Sequence, residues 1–126
     1  MESLQAIYEK AYKAEWDRRV DKTPDVAISV ECGGEKKTYI EKNFFWCGFN
    51  SLKYTANNHM NRRLKKELAK QGIEAHKAYG GGFSFYLKEI GQRGNGDFEI
   101  QRVAYGAVAQ YLDSLAYNVY NESRLD

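Results

Sequence analysis

Two rhythms of apolar and polar positions run along this chain, and one arrangement of them occurs twice. In residues 58–71, Met60, Leu64 and Leu68 recur every fourth position, which is the spacing of a single helical face. In residues 100–114, Val103, Ala104, Ala107, Val108, Tyr111 and Leu112 form a broader stripe that Leu115 continues. Each helical stretch leads directly toward a strand, through residues 72–75 in the first case and as residues 115–120 in the second. The aromatic run 44–54 reads as the strand before the first helix, and the glycine-led run 79–88 as the strand between the two units. Strand–helix–strand–strand–helix–strand predicts an α+β fold with a ferredoxin-like βαββαβ core, an antiparallel sheet with two helices on one face.

Ahead of this core, residues 3–19 place Leu4, Ile7, Tyr8, Ala11 and Ala14 on one helical face. The helix is expected to stop before Thr23-Pro24, because a residue preceding proline is disfavoured in the helical region. Val26, Ile28, Val30 and Cys32 then alternate with Ala27, Ser29 and Glu31, the period of a strand. Gly33-Gly34 supplies a tight turn, and residues 37–40 return as a hairpin partner. The chain of 126 residues is therefore read as one domain: a helix-plus-hairpin extension over 1–43 and the repeated core over 44–126. Within it, Asn57 or Asn58 caps the first core helix and Gly72 ends it. Gly48 suggests a bulge in the aromatic strand or a close approach by another backbone, and Gly106 suggests a close approach of helix to sheet.

Composition refines this picture without naming a function. Apolar residues make up 43% and charged residues 29%, so the chain is globular. A net charge of +2 does not fit a surface saturated with phosphate contacts, yet it leaves room for a local basic face. Aromatics reach 14%, ten of them tyrosines, and such an excess favours a binding surface. The other reading is a tyrosine-rich sheet with one wet face. Cys32 and Cys47 do not make a disulfide framework; one bridge between them is conceivable, but the N-terminus lacks the apolar core of a signal peptide, and no apolar stretch approaches bilayer length. Two buried thiols in a reducing cytoplasm are expected.

The groups that could carry chemistry are few. Gly82-Phe83-Ser84-Phe85, within the run 79–87, resembles the glycine-led aromatic strand of the RNA-recognition motif, whose rings stack on bases. Gly81 stands where that family has a basic residue, Tyr86 where it has an aliphatic one, and Lys88 replaces the closing aromatic. The resemblance spans about eight residues. It makes Phe83, Phe85 and Tyr86 candidate contacts if the rings of Phe83 and Phe85 face outward. If those rings face the helices they are core, and a third possibility is that the N-terminal helix or a second subunit covers them. Arg62, Arg63, Lys65, Lys66 and Lys70 make a one-sided basic stripe interrupted only by Glu67, fit for phosphates or an acidic protein, or simply a solvated face. The glycine-rich loop 91–97 precedes a helix, so its amides could hold an anion beside Arg93; the alternative is a plain connection.

For catalysis the chain offers little. His59 and His76, with Cys32 and Cys47, lack metal-finger spacing, and a Cys47–His76 nucleophile pair has no local support. The triple glycine 80–82 leads into a strand with no Gly-Lys-Ser/Thr after it, so it is not a nucleotide P-loop. No catalytic residue, metal or cofactor is expected.

Cys47-Gly48-Phe49, the run 64–85 and the closing segment 107–126 together resemble small proteins of bacteriophages and mobile elements, over about the C-terminal two-thirds of the chain. The resemblance assigns no functional residue. It implies a non-enzymatic binding protein in the cytoplasm of an infected bacterial host. The leading expectation is an inhibitor of a defence system, anti-CRISPR-like, which occludes a host protein or nucleoprotein complex through surface tyrosines and the basic stripe. Direct binding of single-stranded nucleic acid and sequestration of a nucleotide signal at Arg93 are the alternatives. A homodimer through the edge near residues 117–120 is compatible with each.

Overall fold

The computed structural model describes residues 1–22, 25–32, 34–42, 48–90 and 98–125, with backbone alone over 20–22, 25–32, 35–42 and at 125. Among the described residues, three helices and a four-stranded antiparallel sheet make an α+β architecture, with a separate two-stranded hairpin. The hairpin joins β1 (Asp25–Cys32) to β2 (Glu35–Lys42) in unbroken register from Asp25↔Lys42 to Cys32↔Glu35. Gly34 turns it at φ +85°, as the glycine pair predicts.

The large sheet runs β4 (His76–Lys77), β5 (Phe83–Phe85), β3 (Gly48–Tyr54), β6 (Val119–Leu125), every neighbour antiparallel. Gly48 does not bulge the central strand: the register with β6 is continuous from Gly48↔Leu125 to Tyr54↔Val119. The expected strand residues 44–47 lie outside the described residues. Strand period sets two faces on β3. Asn50, Leu52 and Tyr54 are buried against the helices, and Phe49 on the other parity is exposed.

Helix α2 (His59–Lys70) opens at Asn58, whose side-chain oxygen accepts a hydrogen bond from the Asn61 amide at 2.8 Å. Leu64 and Leu68 are fully buried and Met60 packs at the margin. Buried Asn61 was not anticipated as an inward residue. Its side-chain nitrogen donates to the Thr55 carbonyl at 2.7 Å and its oxygen accepts from the Asn118 amide at 3.0 Å, pinning α2 between the ends of two strands. At the other end Gly72 sits at φ +74° while the Ile73 amide returns to the Leu68 carbonyl and the Gly72 amide to that of Ala69, a Schellman closure.

Helix α3 (Phe98–Ser114) ends in the same closure, with the Tyr117 amide bonded to the Leu112 carbonyl and the Ala116 amide to that of Asp113. Here the left-handed position is held by Ala116 at φ 69°. Because the chain spends residues 115–118 leaving the helix, the final strand begins at Val119 rather than at Leu115. The buried face of α3 is also rotated from the expected stripe. Ile100, Gln101, Ala104, Tyr105, Val108 and Leu112 are inside, whereas Val103 and Leu115 are exposed. A Cβ on Gly106 would meet nothing within 4 Å, so this glycine does not serve a close helix–sheet approach.

Helix α1 (Leu4–Lys22) is part of the same core, not an appendage. Ser3 caps it, accepting the Ala6 amide at 3.2 Å. Leu4, Tyr8 and Tyr12 are buried, and the face continues through Glu15 instead of the expected Ala14, which is exposed. Two glutamines lock it in place. Gln71 accepts the Leu4 amide and donates to the Glu2 carbonyl, both at 2.8 Å; Gln5 accepts the Lys88 amide at 3.0 Å and donates to the Lys88 carbonyl at 2.6 Å. Below them Tyr8 donates to the Gln101 side chain and accepts the Ile90 amide at 3.1 Å, and Gln101 donates to the Ile90 carbonyl at 3.0 Å. The segment following β5 is thus held at backbone level by α1 and α3.

Candidate functional site

All three helices contribute to one buried cluster with Leu52, Tyr54 and Phe85 on one side of the sheet. On its other side the described residues place no helix. Antiparallel register carries a row straight across this open face: His76 lies opposite Ser84, Ser84 opposite Lys53, and Lys53 opposite Tyr120. A second row puts Ser51 opposite Glu122, and a third puts Phe49 opposite Arg124. Phe49, Tyr86 and Tyr120 are each about half exposed, and Tyr79 at the β4–β5 turn is fully so. A shallow cleft of about 430 Å³ opens here, lined among others by Phe49, Lys53, His76, Tyr79, Tyr86 and Arg124.

The glycine run shapes one rim of this cleft. Gly80, Gly81 and Gly82 have φ of +87°, +106° and +76°, conformations that a side chain disfavours. The Ala78 amide bonds to the Gly82 carbonyl at 3.0 Å and the Gly81 amide to the Ala78 carbonyl at 3.2 Å. A Cβ on Gly82 would lie 2.7 Å from the Tyr54 carbonyl oxygen. The glycines therefore build a tight turn that presses against the central strand and projects Tyr79 into solvent.

Charge on the open face is mixed but leans basic. Lys53 and Glu122 form an ion pair at 2.5 Å across the β3–β6 ladder. Arg124, on the same face, has no ion-pair partner among the described residues. Cations beside exposed rings, with one carboxylate already paired, suit a ligand that has both flat apolar surface and negative charge.

The sequence-based candidates fall in three places. Tyr86 is on the open face. Phe83 and Phe85 have the opposite parity: Phe85 is fully buried, and Phe83 stacks on Tyr54 at 5.4 Å with the Lys65 ammonium 5.9 Å from its ring centre. Leu52, directly opposite Phe85 in the ladder, fixes this choice by needing the same apolar side. The outward reading of these two rings is thus replaced by a structural one. Arg62, Arg63, Lys65, Lys66 and Lys70 are all exposed on α2; Lys70 pairs with Glu67 at 3.0 Å, while Arg63 and Lys66 have no such partner among the described residues. Arg93 and the loop 91–97 lie outside the described residues, as does Cys47 of the Cys47–His76 pair.

No protein-family model, curated protein or solved structure matches this chain. The site must be understood from its own geometry. Among the described residues no three His, Cys, Asp or Glu side chains are grouped to hold a metal ion, and no helix is long and apolar enough to cross a membrane. The titratable groups shifted furthest lie off the open face. Burial, aided by neighbouring Glu89, pushes the Tyr105 hydroxyl far up, and burial raises that of Tyr54. Tyr105 hydrogen-bonds Glu89 at 3.1 Å and accepts the Leu87 amide at 3.2 Å, which makes it a structural clamp on the segment after β5.

Phe49, Lys53, Tyr79, Tyr120 and Arg124 were missed as site residues. The signal was present in part: once Leu52 and Tyr54 are taken as inward, positions 49, 51 and 53 must point outward. The placement of Tyr120 and Arg124 depends on where β6 begins, which local pattern does not define.

Proposed function

We propose that this chain is a ferredoxin-like sandwich that acts without catalysis, binding single-stranded nucleic acid on the helix-free face of its sheet. The observation that carries the reading is the set of exposed rings on that face, Phe49 on β3 and Tyr86 just beyond β5, flanked by Tyr79, Tyr120 and the cations Lys53 and Arg124. These are the two central strands of an order that, counted within the core, runs second, third, first, fourth. A base stacked on a ring contributes about 1–3 kcal/mol whatever its sequence, and phosphates that pair with the cations release condensed counterions, a gain that added salt diminishes. Sheet modules that bind RNA place their rings on central strands in the same way.

The experiment is fluorescence anisotropy with labelled oligo-dT and oligo-U at low salt. Phe49→Ala and Tyr86→Ala should each weaken binding roughly 5- to 150-fold while leaving the melting temperature near its original value. No binding to either oligonucleotide at low salt rejects the reading.

One observation favours a second reading. Arg63 and Lys66 project from α2 without ion-pair partners among the described residues, so the stripe can dock an acidic protein surface. In this reading the chain is a phage-type inhibitor that occludes a nucleic-acid-handling complex in the cytoplasm of an infected bacterium. Pull-down from a bacterial lysate discriminates the two: Arg63→Glu with Lys66→Glu releases the captured complex under this reading and leaves oligonucleotide affinity on the sheet face largely intact.

A further inference from the structure

We infer that β6 is the pairing edge of a homodimer, joined antiparallel about Ser123 so that two sheets become one of eight strands. The sheet has two edges of unequal kind. β4 offers only His76 and Lys77, whereas β6 offers seven residues, Val119–Leu125, bonded among the described residues to β3 on one side only. A long edge with unpaired amides and carbonyls is a template for another strand unless charge or curvature protects it. Protective lysines are absent from this strand; it carries one charge of each sign, Glu122 and Arg124.

Those two charges select the register. Antiparallel pairing of a strand with its copy is defined by the residue on the two-fold axis. With Ser123 on the axis, Glu122 of each copy, whose Oε2 pairs with Lys53 of its own chain at 2.5 Å, lies opposite Arg124 of the other, so two complementary pairs form that share this carboxylate. Both residues share the open face by strand parity. With Glu122 on the axis, the two carboxylates would oppose each other, which is destabilising. With Asn121 there, Glu122 meets Tyr120 and Arg124 is left without a carboxylate opposite. Arg124 is exposed and has no ion-pair partner among the described residues of its own chain, so the copy supplies what the monomer lacks. Because facing residues keep the same side of the sheet, the open faces of both copies merge into one continuous surface. The inference stands on the edge and its charges and does not depend on what that surface binds.

Sedimentation velocity over a concentration series gives the test. The wild-type chain should pass from monomer to dimer as concentration rises. Arg124→Glu and Glu122→Arg should each stay monomeric, and an equimolar mixture of the two should recover a one-to-one dimer, since Glu then meets Arg at both positions. A second measurement does not depend on the fold tolerating charge reversal. Cα atoms directly opposite in an antiparallel pair are about 4.5–5.5 Å apart, within disulfide range. Ser123→Cys should therefore cross-link to its copy under mild oxidation at least ten times faster than Tyr120→Cys, which controls for the native thiols. A wild-type chain that stays monomeric throughout, or equal cross-linking at the two positions, overturns the inference.

Discussion

Replacing Gly82 with alanine tests how the β4–β5 turn supports the candidate site, and Gly81 serves as its control. Both glycines have positive φ, at +76° and +106°, so alanine at either carries the left-handed penalty of about 1–2 kcal/mol. Part of this, about 0.4–1 kcal/mol, is returned because alanine restricts the unfolded chain. The environments then separate them. A Cβ on Gly81 meets nothing within 4 Å, whereas one on Gly82 lies 2.7 Å from the Tyr54 carbonyl oxygen and 3.3 Å from Thr55 Cγ2. The carbonyl belongs to the central strand and cannot swing aside, so overpacking adds about 1–3 kcal/mol. Gly82→Ala should thus be about 2 kcal/mol less stable than Gly81→Ala in urea unfolding followed by circular dichroism. It should also weaken oligonucleotide binding, because Tyr79 and His76 depend on that turn for their position. Equal unfolding midpoints for the two variants would refute the close-approach argument.

The two helix closures predict opposite outcomes for opposite substitutions. Ala116→Gly relieves a left-handed alanine and should raise stability by about 1 kcal/mol, while Gly72→Ala should lower it by a similar amount; thermal melts of both variants check the pair. Glu15 predicts an acid-sensitive component of stability. The hydrogen bond from Arg18, with Arg19 on the same carboxylate, holds its carboxyl down from 4.5 to about 2. A lowered folded-state value means the stabilisation is whole above pH 4.5 and is lost as pH falls toward 2. Arg18 is half exposed, so water screens the pair and leaves about 1 kcal/mol. Glu15→Gln should therefore be less stable by about that much at pH 7 and equal to the parent near pH 2, as read from urea midpoints at the two pH values.

Helices and turns were legible in the sequence wherever one local signal sufficed. Asn58 and Gly72 bounded α2, Leu64 and Leu68 marked its inward face, and Gly34 closed the hairpin. Features that depend on partners distant in sequence were not. Asn61 shares the inward stripe at three residues before Leu64, yet a polar side chain there is acceptable only because Thr55 and Asn118 supply its bonds. Glu15 is inward only because two arginines follow it. Tyr105 took the position expected of Val103 because its hydroxyl reaches Leu87 and Glu89. The candidate site failed for a related reason. Phe83-Ser84-Phe85 shows alternation, but alternation does not say which parity faces out. That is decided by Leu52 across the ladder, and the outward rings proved to be Phe49 and Tyr86.

The central claim is that ligand sits on the helix-free sheet face, and photo-cross-linking locates it directly. Oligo-U carrying 4-thiouridine, bound at low salt and irradiated, should give adducts at Phe49, Tyr79, Tyr86 and Tyr120 by mass spectrometry of the digested complex. Adducts confined to α2 between Arg62 and Lys70, or none above the unirradiated control, would contradict it.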